Sequence, residues 1–400
     1  MQAAVRRAPY ARRSLAERIR NGFESHRLLF PAVFTVVYLI GAATMAASQM
    51  LWLDEIITAY IARLPHLDDI WAALARAADG NPPLFYVITR WSTSLFGNGS
   101  LALRLTEISG VWLLSLCLFG FVARRASVLA GALAALIPAL TEVYVYSYEA
   151  RPYGVVLGLF GLALLCWQCA GERRRKGALA GLTVSLAAAL CCHYFAAFLW
   201  IPIACGEIVR SRERGGVDVP VWICLAAAAG PVLALRPLMS AIASFTFQVG
   251  RDSRYWANPS LWNLMNAYAN LLRPLIIPAI VCLAVVAALW MIRPAHGRVE
   301  VSPLPLSETA VAVVLMLLPF VIFAVSRVTH GGFTLRYILP AVVGCAMVGA
   351  FVSHSLFQRR ADVGLALLAV LFGFFCVFTA YRVISTRPST PFQENKLLVD

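Results

Sequence analysis

Long apolar runs follow one another along almost the whole chain, and they restrict its possible folds more than any other feature. A helix needs about 20 apolar residues to cross a bilayer, although shorter runs are tolerated inside a bundle. The chain contains eleven candidate runs, at roughly 29–48, 101–122, 126–141, 153–169, 177–192, 194–209, 219–236, 274–292, 308–326, 334–353 and 361–381. Only 14% of its residues are charged, whereas soluble domains have roughly 25%. These runs predict an all-α polytopic membrane protein with about 11 transmembrane helices.

The basic residues predict how these helices are oriented. Residues 1–28 carry seven Arg, and "RR" at 124–125 and "RRRK" at 173–176 fall on the same predicted side. On that side 69 connecting residues hold 20 of the 34 Lys and Arg residues, whereas about 127 residues on the other side hold 14. Because basic connections stay in the cytoplasm, we predict the N-terminus inside and the C-terminus outside. A cleaved signal peptide ending in "GAATMAASQ" is the alternative, but the long arm and the full-length first run favour an uncleaved anchor.

This orientation divides the chain into three parts. Residues 1–28 form a basic cytoplasmic arm, residues 29–383 the membrane domain, and residues 384–400 a short outer tail. The two longest connections, about 49–100 and 237–273, face outward. Because the inner connections are short, any chemistry is predicted to take place on the outer face.

Two short interfacial helices are predicted in the first outer loop. In "LDDIWAALARAADG" (67–80), Ile70, Trp71 and Leu74 lie on one helical face. Pro82 and Pro83 then provide a starting signal for a second helix over residues 84–96. Both helices are expected to lie in the membrane interface and to cover the outer end of the bundle.

Several function classes leave signatures that this sequence lacks. It has no Gly-rich phosphate loop of the Walker or dinucleotide type, which disfavours an ATP-driven transporter. It also has no nucleic-acid-binding signature and no separable basic domain, so no nucleic-acid partner is expected. Cys166 and Cys169 form a C-x-x-C, but no thioredoxin-like βαβ pattern surrounds them. The lipid bilayer is the one partner that composition alone predicts.

The polar side chains that most need an explanation lie at the predicted outer ends of the spans. They are Asp54, Glu55, Asp79, Glu142, Glu149, Arg151, Tyr153, His193, Tyr194, His330, Arg336 and Tyr337. Ionisable groups at membrane depth are costly and usually face a bundle interior or a water-filled cavity. The simpler interpretation is that Arg and Tyr at span ends snorkel to the interface, and we prefer it for Arg104, Arg236 and Arg273. That interpretation is weaker for Asp54, since a carboxylate has no long stem with which to snorkel.

Five short motifs occur in one order along the chain. They are "LDE" (53–55), "DGNPPLFY" (79–86), "SLALRL" (100–105), "YSYEARPY" (146–153) and "LRYILPA" (335–341). Together they make the chain similar to the membrane-embedded C-fold glycosyltransferases that use polyprenyl-phosphate sugars. Within that group it most resembles the bacterial family 39-like and Rgt-like branch, and the resemblance covers roughly residues 30–350.

The resemblance implies a sugar transfer on the outer face of the bacterial inner membrane. The implied donor is a sugar on undecaprenyl or a related phosphate, and the implied acceptor is a glycolipid, polysaccharide or protein of the cell envelope. The acid that matches Asp54 serves as general base or metal ligand, with Glu55 beside it, and displacement by a single base would invert the anomeric configuration. Basic side chains hold the lipid phosphate. The implied substrate-binding residues are Asp79, Pro82, Pro83, Arg151, Tyr153, His193, Arg336 and Tyr337.

A divalent metal ion is the one cofactor that the sequence leaves open. Asp54, Glu55 and His193 are its candidate ligands, and Asp79 and His330 are predicted on the same side. Carboxylate together with imidazole is a reasonable ligand set for such an ion. The alternative, which we prefer, is that the histidines are hydrogen-bonded at helix ends.

Two departures from the family pattern bear on the substrates. Asn81 stands where the branch that adds aminoarabinose to lipid A has a Lys before its Pro-Pro pair. This removes an expected phosphate contact and disfavours lipid A modification. The chain also ends at residue 400 without a soluble C-terminal domain, so acceptor recognition is expected to fall to the outer loops.

Two other functions remain open from the sequence. The main alternative is a multi-pass transporter or flippase of envelope lipids or glycans, and the second is a noncatalytic scaffold of an envelope complex. Against a transporter, the chain shows no obvious inverted repeat and no matched pair of Gly/Pro-broken spans. Small residues at four-residue spacing in "GVVLGLFG" (154–161) predict close helix packing rather than a pore.

Overall fold

The computed structural model describes residues 14–171, 175–249, 257–292, 305–357 and 360–385. Parts of four predictions lie outside these residues: 1–13 of the basic arm, 173–174 of the "RRRK" run, 250–256 of the second outer loop and 386–400 of the outer tail. Within the described ranges, every regular element is a helix.

The helices follow each other with short connections. The α-helices are α1 (Leu15–Ser25), α2 (Leu29–Ser48), α3 (Leu53–Ala62), α4 (Leu67–Ala75), α5 (Pro83–Phe96), α6 (Ser100–Ala123), α7 (Val128–Ala139), α8 (Tyr153–Cys169), α9 (Arg175–Cys192), α10 (Trp200–Arg214), α11 (Val219–Ala228), α12 (Pro231–Val249), α13 (Leu261–Ile292), α14 (Leu306–Thr329), α15 (Pro340–Phe357) and α16 (Ala361–Ser385). Short 3-10 helices cover Glu142–Tyr148, Tyr194–Leu199 and Leu335–Tyr337.

The predicted class of all-α polytopic membrane protein is confirmed. In the described part of the chain, nine helical segments are long and apolar enough to cross a membrane. The number is ten if α7 and the 3-10 helix that follows it, bent by 67°, count as one span. The predicted count of about 11 is reached only if α8, which is apolar but 17 residues long, is counted as well.

Two predicted span starts differ from the structure. α13 begins at Leu261 rather than near residue 274, because the helix continues through Pro274 and Pro278. Prolines inside a membrane helix are tolerated when neighbouring groups satisfy the freed backbone. α15 begins at Pro340 rather than near residue 334, because proline is favoured in a first helical turn.

The predicted first outer loop, residues 49–100, contains the two short helices expected there. They are α4 and α5, and α5 starts at Pro83 with Pro82 as its N-cap residue. A third helix, α3, was not predicted. Asp54 and Glu55 lie in its first turn, where the helix dipole favours acidic side chains. The two acids therefore have a fixed helical backbone.

Helices α6 and α8 are in close backbone contact. A Cβ atom on Gly110 would lie 2.4 Å from the backbone of Gly154, and one on Gly158 would lie 2.4 Å from the Gly110 carbonyl oxygen. The two helices touch through their backbones, as the spacing of small residues predicted. At the start of α8, Glu107 accepts the Val155 backbone N–H at 3.0 Å, which caps that helix end. This packing holds the start of α8 against the N-terminal half of α6.

Candidate active site

Asp54 lies between two arginines. Its Oδ2 atom accepts a hydrogen bond from Nη1 of Arg336 at 2.9 Å, and Nε of Arg151 lies 3.9 Å from the same oxygen. The Asp54 side chain is 25% exposed, so its carboxylate is open to a ligand. α3 supplies the acid, while the 3-10 helix Leu335–Tyr337 and the turn before α8 supply the arginines.

Asp79 holds Arg151 in a two-pronged ion pair. Nη1 of Arg151 donates to Oδ2 of Asp79 at 2.6 Å, and Nη2 donates to Oδ1 at 3.2 Å. The Tyr86 hydroxyl donates to Asp79 Oδ2 at 2.6 Å, and the Gly80 N–H donates to Oδ1 at 2.6 Å. Burial by itself would raise the pKa of Asp79, but the charge and hydrogen bonds of Arg151 lower it below its usual value. Asp79 is thus ionised at neutral pH, and it keeps Arg151 in place.

Glu55 points away from solvent. Its side chain is fully buried, and its Oε1 and Oε2 atoms accept from Nε and Nη2 of Arg104, both at 2.7 Å. The backbone N–H of Ala150 donates to Oε1 at 2.6 Å, and that of Trp52 donates to Oε2 at 3.2 Å. The adjacent acids Asp54 and Glu55 therefore have different surroundings, one open and one enclosed.

Arg104 does not snorkel, and that interpretation of its sequence position was wrong. Its side chain is 1% exposed, because a buried carboxylate lies within reach of its guanidinium. The remaining guanidinium hydrogen bonds go to the backbone carbonyls of Ala46, Gln49 and Met50. Sequence reasoning missed Arg104 as a site residue, although it is the arginine of the "SLALRL" motif.

Aromatic rings form the wall beside Arg336. The Tyr153 hydroxyl lies 3.4 Å from Nη1 of Arg336, and the Tyr337 ring stacks on Phe195 at 3.9 Å between centroids. His193 packs between them, 5.3 Å from Tyr153 and 5.9 Å from Tyr337. A small cavity of about 30 Å³ opens between these side chains.

His193 is held neutral and in one orientation. Its Nδ1 atom accepts the backbone N–H of Phe195 at 3.1 Å, which leaves the ring proton on Nε2. Burial, and next the charge of Arg151, lower the pKa of His193 to about 3. This is the histidine hydrogen-bonded at a helix end that the sequence favoured, and it lines the cavity beside Arg336.

Glu149 is a half-buried carboxyl close to both acids of α3. Burial, and next the charge of Glu55, raise the pKa of Glu149 to about 7, against the opposing charges of Arg336 and Arg104. Its neighbour Ala150 donates to Glu55, so the "YSYEARPY" segment reaches the site through several of its residues.

The other candidate residues lie near the start of α5 and at the end of α14. Pro82 and Pro83 shape the start of α5, and Asn81 is buried, with its amide 3.4 Å from Asp79 Oδ2. His330 is exposed and ends α14 in a left-handed conformation with φ 52°. Asn81 thus contacts the carboxylate that holds Arg151, while the prolines fix the start of α5.

The candidate metal ligands do not form a group in the described part of the chain. No three His, Cys, Asp or Glu side chains there are arranged to hold a metal ion. Asp54 and Glu55 are paired with arginines, and the Nδ1 atom of His193 is occupied by a backbone N–H. In the part of the chain that the structure describes, these three candidates therefore do not fit a metal site.

The arrangement combines an open carboxylate with two adjacent guanidinium groups at one end of the bundle. A carboxylate of this kind can accept a proton from a hydroxyl group. Guanidinium groups beside it can stabilise an anion that develops during a reaction. The geometry suits the transfer of a group from an anionic carrier to a hydroxyl.

Residues 80–233 match the family model of dolichyl-phosphate-mannose-protein mannosyltransferases, a segment that contains Arg151, Tyr153 and His193. A comparison with curated protein sequences gives no significant match.

The fold of this chain is similar to that of several proteins of known structure. The chain is similar to ArnT from Cupriavidus metallidurans bound to undecaprenyl phosphate, at 14% identity over 89% of this chain and 77% of that chain, with a TM-score of 0.51. The apo state of the same protein gives 15% identity with the same coverage and TM-score. The archaeal oligosaccharyltransferase AglB from Archaeoglobus fulgidus, in complex with an inhibitory peptide and a dolichol-phosphate, gives 10% identity over 92% and 57% with a TM-score of 0.48. The chain thus has the fold of the C-fold glycosyltransferases, and its residues 80–233 match their dolichyl-phosphate-mannose-protein mannosyltransferase family.

Proposed function

We propose that the protein transfers a sugar from a polyprenyl-phosphate-linked donor to an envelope acceptor on the outer face of the bacterial inner membrane. The observation that carries the proposal is the contact of the partly exposed Asp54 carboxylate with the Arg336 guanidinium, 2.9 Å apart. The family match and the shared fold support a lipid-phosphate sugar as the donor. The acceptor is a hydroxyl group of a glycolipid, polysaccharide or protein.

Asp54 is the general base in this proposal. The acceptor oxygen attacks the anomeric carbon, its proton passes to the Asp54 carboxylate, and the bond from that carbon to the phosphate oxygen breaks. The electron pair of this bond leaves with the lipid phosphate, and the anomeric configuration inverts. Asp54 is preferred to Glu55 because its side chain is 25% exposed while that of Glu55 is fully buried. A positioned base of this kind contributes roughly 10²- to 10⁴-fold to the rate.

Arg336 is the contact for the lipid phosphate. Its side chain is 18% exposed, whereas that of Arg151 is 7% exposed and is held by Asp79 through both terminal nitrogens. A planar guanidinium matches two phosphate oxygens at once. The phosphate would compete with Asp54 for Arg336, so donor binding releases the base for the acceptor proton. Arg151 has a supporting role, because its Nη1 atom donates a 3.2 Å hydrogen bond to the backbone carbonyl oxygen of Asp54.

The aromatic wall gives the sugar and the phosphate a dry boundary. Tyr153, His193 and Tyr337 line one cavity with Arg336. The Nε2–H of His193 and the hydroxyl of Tyr153 supply neutral hydrogen-bond donors beside the phosphate position. Exclusion of water there strengthens the attraction between Arg336 and the leaving phosphate.

The direct test is transfer of radiolabelled sugar from purified polyprenyl-phosphate donors to an envelope extract by the purified full-length chain in lipid nanodiscs. We expect labelled acceptor with the wild type and with Asp68→Asn, which removes an exposed acid of the same outer loop. We expect none with Asp54→Asn. Vesicles containing the protein that move the labelled lipid between leaflets without any transfer would support the flippase alternative instead.

A further inference from the structure

A buried ion pair lies directly behind the proposed base. Arg104 and Glu55 are 1% and 0% exposed, with Nη2 and Oε2 2.7 Å apart. Neither side chain reaches the opening at Asp54. We propose that this pair is a positioning unit that sets the proposed base Asp54 and Arg151 relative to each other, an inference that rests on the proposed function.

Glu55 links the two backbone segments that carry these side chains. It follows Asp54 directly in the first turn of α3. Its Oε1 atom accepts the N–H of Ala150 at 2.6 Å, and Ala150 directly precedes Arg151. Asp54 and Arg151 are 97 positions apart in the sequence. The Glu55 carboxylate therefore connects the residue next to Asp54, which is Glu55 itself, with the residue next to Arg151, which is Ala150. A shift of this carboxylate would change the 3.9 Å separation between Arg151 Nε and Asp54 Oδ2.

Arg104 holds that carboxylate in turn. Nε and Nη2 bind its two oxygens, which is the fork geometry that arginine forms with a carboxylate. The other hydrogen bonds go to the carbonyl oxygens of Ala46 at 2.7 Å, Gln49 at 2.8 Å and Met50 at 3.1 Å. These carbonyls belong to the last turn of α2 and the link to α3, so Arg104 fixes the entry to α3. A lysine has three donors on one atom and cannot reproduce this planar set.

A second buried ion pair provides a matched control. Arg210 and Glu207, 7% and 0% exposed, are paired within α10, and Glu207 also accepts from Trp167 Nε1 at 2.8 Å. This pair lies near the far end of α10, whereas the start of that helix follows His193. Replacement of Arg210 tests the general effect of disturbing a buried arginine, because no residue of the proposed site contacts the Arg210–Glu207 pair.

The experiment compares Arg104→Lys with Arg210→Lys in the full-length chain in nanodiscs. We expect Arg104→Lys to lower kcat roughly 100-fold, since a displacement of about 1 Å at a reacting group has that effect. The KM for the donor should change less than about threefold, because Arg336 is untouched. Arg210→Lys should leave kcat near the wild-type value. Equal kcat values for the two variants would overturn the proposal.

Hydrogen exchange gives a readout that does not depend on sugar transfer. The Ala150 amide should exchange faster in Arg104→Lys than in the wild type and Arg210→Lys, because its acceptor moves. If the wild type transfers no sugar but this exchange difference is present, the proposed function fails while the positioning unit stands. Unchanged Ala150 exchange would overturn the positioning unit whatever the activity.

Glu55→Gln serves as the second variant if Arg104→Lys does not assemble. The amide keeps an oxygen for the Ala150 N–H but loses one acceptor for Arg104. We expect a fall in kcat smaller than for Arg104→Lys and a partial rise in Ala150 exchange. Wild-type values of both quantities in Glu55→Gln would contradict the proposal.

Discussion

Nη1 of Arg336 lies 2.9 Å from Oδ2 of Asp54, although 282 positions of sequence separate the two residues. The 3-10 helix that carries Arg336 is followed by α15, and Asp54 lies in the first turn of α3, after the first membrane helix. The contact brings two distant parts of the sequence together at one opening. In the proposed reaction it joins the base to the cation that receives the leaving phosphate.

Replacement of Arg336 should weaken use of the donor. We expect Arg336→Ala to raise the donor KM roughly 10- to 100-fold, since a hydrogen bond to a charged group contributes about 1.5–3 kcal/mol. Arg336→Lys should restore only part of this effect, because the planar fork is lost. Initial rates against lipid-donor concentration in matched nanodiscs measure it, with the exposed Arg76→Ala as control. A wild-type donor KM in Arg336→Ala would show that the phosphate is held elsewhere.

Arg90 should matter much less than Arg336. Its guanidinium donates to the Leu64 and Pro65 carbonyls, so it ties α5 to the connection between α3 and α4. We expect Arg90→Ala to leave the donor KM within about threefold of the wild-type value, since a hydrogen bond that supports a loop contributes only about 1 kcal/mol. The same kinetic series measures it, and a loss equal to that of Arg336→Ala would place Arg90 at the phosphate.

Glu149 should make donor binding depend on pH near neutrality. Its pKa is raised to about 7 by burial and by neighbouring carboxylates, so it gains a negative charge as the pH rises through this value. That charge repels the donor phosphate beside Arg336, and we expect the donor KM to increase from pH 6 to pH 8. Glu149→Gln should have a low KM with a flat profile over this range. An identical rise of KM with pH in Glu149→Gln would rule out Glu149 as its source.

The Tyr86 hydroxyl should stabilise the fold through Asp79. Tyr86→Phe removes a buried 2.6 Å hydrogen bond, and we expect the free energy of unfolding to fall by about 1 kcal/mol. Thermal unfolding in detergent measures the effect as a lower midpoint. Tyr60→Phe, at a side chain that is 56% exposed, is the matched control and should unfold like the wild type. Equal midpoints for the two variants would show that Asp79 does not need this donor.

Close packing of α6 on α8 should be sensitive to a single methyl group. In Gly110→Ala the new Cβ would lie 2.4 Å from backbone atoms of Gly154, and overpacking of this kind costs about 1–3 kcal/mol. We expect a lower unfolding midpoint and a lower kcat, since α8 starts two residues after Arg151. Gly177→Ala, on α9 with no atom within 4 Å of the new Cβ, should be neutral or slightly stabilising. A wild-type midpoint in Gly110→Ala would show that α8 can move away freely.

The class of the fold and the outline of the site followed from local sequence patterns. Apolar runs predict membrane helices because a backbone in lipid must satisfy its own hydrogen bonds, which a helix does within one segment. Pro83 predicted the start of α5 for a similarly local reason, as its fixed φ suits a first turn. The order of the motifs marked Asp54, Asp79, Arg151 and Arg336 as candidates, and the structure brings these four side chains together.

Arg104 shows what local patterns leave open. An arginine at a span end can snorkel or turn inward, and the choice depends on a carboxylate 49 positions away. In the same way, the sequence gives no reason to distinguish Arg151 from Arg336. In the structure Arg151 is ion-paired with Asp79, while Arg336 stays partly exposed. Span length is a property of consecutive residues. A hydrogen bond between distant side chains requires two backbones to be placed within a fraction of an ångström, and the packing of the whole bundle, as at Gly110 and Gly154, determines that placement.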